Sequence, residues 1–131
     1  MLADPKILLM TSETENYDWP NRVFLITEDE EVNYFYLKTL LKKTNAKILR
    51  AKNGKEAVEL ISRQEEKVDL ILMDINMPVM DGYEATKSIK AIHPNIPIIA
   101  QTAYTLTEDR EKCLSAGFND YIAKPIRKTL L

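Results

Sequence analysis

Five short apolar segments alternate along this chain with four segments in which apolar residues recur at helical spacing. The apolar segments are residues 22–27, 46–51, 70–73, 96–101 and 121–124. Strands that alternate with helices predict a parallel sheet whose two faces are both covered by helices. The pattern therefore predicts an α/β fold with the element order βαβαβαβαβ.

The third apolar segment, Leu70–Met73, shows no alternation, as expected of a strand that is buried on both faces of a parallel sheet. It ends at a carboxylate, Asp74, and the chain then turns through Pro78 and Gly82. Open α/β sheets bind ligands at the carboxyl ends of their strands. One isolated Asp there would more often cap a turn, so the interpretation of Asp74 depends on the other strand ends.

The first helix carries more apolar residues than one face can bury. Its helical pattern is given by Val32, Phe35, Tyr36 and Leu40. Tyr34, Phe35 and Tyr36 are consecutive, so they cannot all face the core, and at least one should be exposed. Beside Asn33 and Leu37, that exposed ring would form a docking face for a partner helix.

The two ends of the chain differ from its middle. Residues 1–21 are polar and rich in turn residues, which predicts a linker, and residues 22–131 then form one domain. Asn53-Gly54 is compatible with a hairpin, but no strand follows, so we interpret it as a helix start. A last helix should begin near Ile126, and it is truncated or unusually short.

Composition excludes several classes of function for this segment. The formal charge is −2 without a basic cluster, so there is no electrostatic footprint for nucleic acid. The single cysteine, Cys113, excludes an internal disulfide and a thiolate zinc site, and it fits a reducing, cytoplasmic setting. No apolar run approaches the length of a membrane span, so we expect no membrane contact by this segment.

Polar side chains follow four of the predicted strands. The first strand ends in Glu28 and Asp29, the third in Asp74, the fourth in Thr102 and the fifth in Lys124. In a doubly wound sheet ordered 2-1-3-4-5 the first and third strands are neighbours, which brings the three carboxylates together. Two such charges 4 Å apart repel by roughly 4 kcal/mol at an effective dielectric constant of about 20. A hard divalent cation, best Mg²⁺, would neutralise them.

These strand ends also carry the groups that phosphoryl transfer needs. Lys124 supplies a positive point charge and Thr102 a hydroxyl group, both suited to phosphoryl oxygens. Asp74 is the candidate nucleophile, because Asp side chains form acyl-phosphates. Each residue alone has an ordinary structural explanation, but four strand ends that agree favour phosphoryl transfer.

Four motifs of the chain resemble the receiver domain of two-component response regulators. They are Thr27-Glu-Asp-Glu, Leu72-Met-Asp-Ile-Asn-Met-Pro-Val-Met-Asp-Gly, Thr102-Ala103 and Tyr121-Ile-Ala-Lys-Pro. The resemblance covers residues 22 to about 129. It implies a flavodoxin-like, doubly wound, five-stranded parallel sheet ordered 2-1-3-4-5. It also implies that Asp74 accepts a phosphoryl group from a phosphohistidine on a histidine kinase or histidine phosphotransfer domain.

The resemblance assigns a metal-binding role to four residues. Asp29, Asp74 and the backbone carbonyl of Asn76 would bind Mg²⁺ or Mn²⁺ directly, and Glu28 would act through water. Glu28 departs from the family pattern, since Asp is commoner at that position. The charge is kept, but the longer arm could change the water network.

Three further residues receive roles from the same resemblance. Lys124 would bridge to the phosphoryl group, and its bond to Pro125 is expected to be cis. Thr102 would move toward the phosphoryl group and draw Tyr121 inward as an aromatic switch. The isolated domain would assist its own phosphorylation and dephosphorylation without being an enzyme in its own right.

The motifs look most like receivers of hybrid sensor histidine kinases. Residues 1–21 would then be the linker from a kinase core in the cytoplasmic part of a membrane-bound sensor, and a dimer is possible. A stand-alone response regulator carrying the same motifs is the alternative.

Three other functions compete with this interpretation. An aspartyl-phosphate phosphatase would need an acid two residues after Asp74, where Asn76 cannot donate a proton in that role. A flavin-binding protein would need a phosphate loop after the first strand, where residues 28–31 are all acidic. A receiver-like docking module that is never phosphorylated stays open, although the full set of site residues argues against it.

Overall fold

The computed structural model describes residues 18–63, 65–75, 77, 79–102 and 107–123, with side chains undescribed at 102, 107–110 and 123. This part of the chain forms five strands and four helices, in the order predicted from the sequence. The elements are β1 Val23–Thr27, α1 Glu31–Lys42, β2 Lys47–Ala51, α2 Gly54–Arg63, β3 Leu70–Asp74, α3 Gly82–Ile92, β4 Ile98–Thr102, α4 Thr107–Ala116 and β5 Asp120–Ala123. The helix start at Gly54 is confirmed. The expected last helix lies outside the described residues.

All strand pairs are parallel, and the sheet order is β2-β1-β3-β4-β5. The flavodoxin-like topology predicted from the sequence is therefore confirmed. In the register of the sheet, Thr27 lies beside Met73, and Asp74 lies beside Gln101. Residues that follow β1 thus reach the same edge of the sheet as the end of β3.

The sheet separates two apolar clusters. One face packs α2, α3 and α4 through residues that include Ala57, Ile61, Ala85, Ile89 and Cys113. The other face packs α1 against Phe24, Ile26 and Leu72. Every residue of β3 is buried, as the unbroken apolar run predicted, whereas β2 is a half-exposed edge strand. The central strand that carries Asp74 is accordingly covered on both faces.

The face of α1 that packs on the sheet differs from the predicted one. The buried residues of α1 are Asn33, Leu37, Leu40 and Leu41. Val32 is 74% exposed and Phe35 68% exposed, so the predicted stripe of Val32, Phe35, Tyr36 and Leu40 is not the buried face of the helix. The exposure of Phe35 confirms that at least one of the three consecutive rings lies outside the core. The prediction that Asn33 and Leu37 belong to an exposed docking face was also wrong, because both residues are buried. The helix has two sets of residues with helical spacing. The set that is buried contains the polar residue Asn33, whose side chain is hydrogen-bonded inside the fold.

Trp19 precedes the first strand but belongs to the cluster on the α1 face of the sheet. Its backbone N–H donates to the carbonyl of Thr44 (2.6 Å), and its ring meets Phe24 edge to face at 5.6 Å. Only 9% of Trp19 is exposed. The division into a linker over residues 1–21 and a domain over residues 22–131 stays a prediction.

Among the described residues, no helix combines the length and the apolar character needed to cross a membrane.

Candidate functional site

Three carboxylates meet at the carboxyl edge of the sheet. Glu28 and Asp29 follow β1, and Asp74 ends the neighbouring β3. One oxygen from each side chain lies within 4.8 Å of the other two. The structure therefore brings together the three acidic residues that the sequence placed at this edge.

Burial strengthens the repulsion between the carboxylates of this cluster. Glu28 is 0% exposed and Asp74 1% exposed, whereas Asp29 is open to solvent. Charges that are shielded from water repel one another more strongly, so a cation at the cluster would stabilise it. The donors are all oxygens, which are the ligand type that Mg²⁺ prefers in proteins. The residues present fit such an ion, which would reach the cluster from the side of Asp29.

The arm of Glu28 is held by the protein. Its backbone N–H donates to the carbonyl of Ala51 (3.0 Å), which anchors the residue to β2. In its side chain, Oε2 accepts from the backbone N–H of Glu30 (3.1 Å), and Oε1 accepts from Nδ2 of Asn33 (2.5 Å). Each carboxylate oxygen thus has a defined donor, so the longer arm does not leave the carboxylate loose.

Arg50, at the end of β2, fastens the loop that carries Glu28 and Asp29. Its guanidinium donates to the carbonyl of Glu28 from Nε (3.3 Å) and Nη2 (3.1 Å). Nη2 also lies 2.8 Å from Oε1 of Glu31, and the guanidinium stacks 4.1 Å from the ring centre of Tyr34. The hydrogen bond from Arg50 holds the pKa of Glu31 below its ordinary value. Arg50 could not be identified from the sequence, because nothing in the pattern distinguishes it from any other basic residue on an edge strand.

The loop that follows Asp74 is tied at several points. The Ile75 N–H donates to the carbonyl of Gln101 (3.2 Å), and the Gly82 N–H donates to the carbonyl of Ile75 (2.9 Å). The N–H of Gly54, at the start of α2, donates to the carbonyl of Met80 (3.2 Å). These bonds fix the backbone on both sides of the segment that contains Asn76, which itself lies outside the described residues.

Val79, in the same loop, has a φ of 70° and is exposed. This left-handed conformation is unfavourable for a β-branched residue. Such strain persists where the surrounding contacts determine the backbone, and it is found often near functional sites.

The remaining predicted site residues are described in part. Thr102 ends β4 and pairs with Ala123 in the register of the sheet. Tyr121 lies in β5, half-buried and in register with Ala100. Lys124 lies outside the described residues. The roles expected for these residues stay predictions.

The family model described as the response regulator receiver domain matches residues 24–131. Hybrid signal transduction histidine kinase I of Dictyostelium discoideum is 44% identical over 119 residues, which cover 86% of this chain and 7% of that kinase. The chain therefore spans only a small part of this relative.

Two solved structures share the fold. The receiver domain of sensor histidine kinase PA1611 from Pseudomonas aeruginosa, with a magnesium ion coordinated in its active site cleft, is 40% identical with a TM-score of 0.73. The match covers 81% of this chain and 87% of that one. The receiver domain of Saccharomyces cerevisiae Ssk1, in complex with the histidine phosphotransfer protein Ypd1, is 34% identical with a TM-score of 0.75. This match covers 82% of the present chain and 81% of the other.

Proposed function

The chain belongs to the response regulator receiver domain family, and on that premise we propose that Asp74 is its phosphoacceptor in a two-component phosphorelay. The observation that carries the proposal is the meeting of three carboxylate oxygens within 4.8 Å at the end of the central strand. A buried strand holds Asp74 rigidly, while Asp29 keeps the cluster open to solvent. This combination favours attack by one fixed carboxylate on an incoming phosphoryl group.

In the proposed reaction a carboxylate oxygen of Asp74 forms a bond to phosphorus as the bond from phosphorus to the donor's histidine nitrogen breaks. The histidine nitrogen keeps the electron pair of that bond and takes up a proton. Asp74 is left as an acyl-phosphate. Catalysis of such a transfer consists mainly of positioning and of neutralising the charge on the phosphoryl oxygens.

The metal would be Mg²⁺ or Mn²⁺. Asp29, Asp74 and the backbone carbonyl of Asn76 would hold it directly, and Glu28 would hold one of its waters. When bound, the metal would neutralise the phosphoryl oxygens. The indirect role of Glu28 is supported by its hydrogen bonds to Asn33 and Glu30, because a carboxylate oxygen that already accepts one bond can accept a second from water.

Thr102 and Lys124 are proposed to contact the phosphoryl group, and Tyr121 is proposed to report it. Thr102 directly follows Gln101, which lies beside Asp74 in the sheet, and β4 also pairs with the strand of Tyr121. Movement of Thr102 toward the phosphoryl group would therefore reach Tyr121 through one neighbouring strand. Phosphorylation would act by shifting an existing equilibrium between two conformations.

The proposal predicts phosphorylation that depends on a divalent metal. Incubation with acetyl phosphate and Mg²⁺ should add one phosphoryl group, measured as the mass of the intact protein. Removing the metal with a chelator should reduce the adduct at least tenfold, because the charge of three carboxylates would repel the incoming phosphoryl group. If no adduct forms and the chain does not bind Mg²⁺ in calorimetry, the receiver-like docking module is the better interpretation.

For the phosphodonor we propose a histidine kinase or a histidine phosphotransfer domain that docks a helix on α1. The exposed side of α1 carries Val32 and Phe35, flanked by Lys38 and Lys42. Exposed apolar side chains of this size, rimmed by charge, are typical of protein interfaces. The complex of Ssk1 with Ypd1 shows that a receiver domain 34% identical to this chain binds such a protein.

The docking surface predicts a selective defect for Phe35→Glu. Transfer from phosphorylated Ypd1 should slow about tenfold, because a charge would replace an interface anchor. Phosphorylation by acetyl phosphate should stay within twofold of the wild type. Leu114→Glu, which alters an exposed apolar residue on α4, serves as the matched control. Equal rates for both variants and the wild type would exclude α1 as the docking surface.

We further propose that the chain is the receiver segment of a hybrid sensor histidine kinase in the cytoplasm. The support is the match to a hybrid kinase of which this chain covers 7%. A stand-alone response regulator is the alternative. The two differ in whether the full-length protein phosphorylates its own histidine.

A further inference from the structure

Three polar side chains form a continuous buried line that begins at Glu28 of the carboxylate cluster. Nδ2 of Asn33 lies 2.5 Å from Oε1 of Glu28 and 3.2 Å from Oε1 of Gln101. All three residues are buried. A primary amide nitrogen has two hydrogens, so Asn33 can use one for each acceptor. The direction of the bond to Glu28 is therefore set by the bond to Gln101.

The line joins the two strands that flank β3. Glu28 follows β1, and Gln101 belongs to β4, where it is the register partner of Asp74. Asn33 comes from the first turns of α1, above the sheet. The three residues thus connect the loop that carries the acidic residues to the strand next to the nucleophile.

Stability alone does not account for Gln101. Its Nε2 atom is buried and has no hydrogen-bond partner among the described residues. A buried donor without a partner is unfavourable, and an apolar residue of similar size, such as Leu, would avoid that cost. A buried polar group that lacks a partner calls for an explanation, such as a role at a binding site.

We propose that Asn33 and Gln101 are positioning residues that fix the carboxylate of Glu28 and thereby set the affinity of the site for Mg²⁺. The inference rests on the proposed function, since it assumes that the carboxylate cluster binds a metal. Residues that orient metal-binding groups through hydrogen bonds commonly change metal affinity by 10–100-fold when they are replaced. Asn33 and Gln101 also explain how Glu28 can occupy a position where the shorter Asp is commoner. The amide of Asn33 fixes the position of the carboxylate at the end of the longer Glu28 side chain.

The test is Mg²⁺ binding to the unphosphorylated chain, measured by titration calorimetry. Asn33→Ala should weaken binding about tenfold. Gln101→Leu should weaken it about threefold, because Asn33 remains but loses its orientation. The double variant should bind no more weakly than Asn33→Ala, since Gln101 acts through Asn33. Thr39→Ala, on an exposed position of the same helix, is the control.

A second arm uses Glu28→Asp. Removing one methylene withdraws the carboxylate by about 1.5 Å, the length of one carbon–carbon bond, and so breaks the bond to Asn33. In that background Asn33→Ala should change the Mg²⁺ affinity by less than twofold. If Asn33 only stabilised the fold, Asn33→Ala would lower the temperature of thermal unfolding. It would then leave the Mg²⁺ affinity unchanged both in the wild-type chain and in the Glu28→Asp chain.

The outcomes separate the inference from the proposed function. Wild-type affinity in a folded Asn33→Ala variant would overturn the inference and leave the proposed function standing. An equal loss in the Glu28→Asp background would also overturn it. If Asn33→Ala does not fold, Gln101→Leu decides by the same criterion, and unchanged affinity there would overturn the inference. A wild-type chain that binds no Mg²⁺ would overturn the proposed function and this inference together.

Discussion

An Asp74→Asn variant is expected to take up no phosphoryl group from acetyl phosphate or from a phosphohistidine donor. The amide has nearly the shape of the carboxylate, so the fold should persist, but it lacks the anionic oxygen that attacks phosphorus. The expected loss is complete within the sensitivity of intact-protein mass spectrometry.

The same variant should unfold at a higher temperature in the absence of metal. It removes one of three clustered charges, which at an effective dielectric constant of about 20 are worth roughly 4 kcal/mol per pair at 4 Å. We expect a gain of about 1–2 kcal/mol, because solvent at Asp29 screens part of the repulsion. Thermal unfolding with and without Mg²⁺ measures this gain and its loss when the wild type binds metal.

Asp81→Asn is the matched control for the loss of phosphorylation. Oδ1 of Asp81 caps α3 by accepting from the N–H of Glu84 (2.9 Å), and Asn caps a helix about as well as Asp. This variant should be phosphorylated normally. If Asp74→Asn still gained one phosphoryl group, the acceptor would be another residue of the cluster and the proposed assignment would fail.

Gly82→Ala should destabilise the domain by about 3 kcal/mol and weaken Mg²⁺ binding. A Cβ atom at this position would lie 2.5 Å from the carbonyl oxygen of Asp74 and 2.8 Å from Cα of Ile75. Both are backbone atoms, which cannot rotate away as a side chain would. The start of α3 must therefore move off the end of β3, at the point where Asp74 enters the site.

The sign of this effect is diagnostic. Ala favours helices over Gly by about 1 kcal/mol, so without the close contact the substitution would stabilise α3. Urea unfolding and Mg²⁺ calorimetry measure the two expected losses. Lys87→Ala, exposed on the same helix, should change stability by less than about 0.5 kcal/mol. A Gly82→Ala variant as stable as the wild type would show that α3 does not lie as close to β3 as described.

The fold could be predicted because its strongest signals are local. The apolar run Leu70–Met73 indicates a strand buried on both faces, and the alternation of strands and helices indicates a parallel sheet. The meeting of Glu28, Asp29 and Asp74 then follows from the neighbourhood of β1 and β3. Residues at the carboxyl ends of neighbouring parallel strands lie close together, so their positions can be predicted once the strands are recognised.

The buried face of α1 could not be predicted in the same way. Helical periodicity in the sequence favoured Val32 and Phe35, but the fold buries Asn33 instead. A buried amide is tolerated only where hydrogen-bond acceptors are present. For Asn33 the acceptors are the side chains of Glu28 and of Gln101, which lies 68 residues after Asn33 in the chain. Arg50 escaped prediction for a related reason, since its partners lie in the β1–α1 region rather than beside it in sequence.

The position of Trp19, the single tryptophan of the chain, decides what its fluorescence can report. The indole packs on Phe24 near the amino edge of the sheet, while the carboxylates lie beyond the opposite end of β1. The five residues of β1 place its two ends about 13 Å apart. Its emission should therefore follow denaturation of the whole domain and stay nearly unchanged when Mg²⁺ binds. A tryptophan introduced at exposed Val79 would add a second chromophore in the loop that follows Asp74, and its emission would report on that loop separately from unfolding.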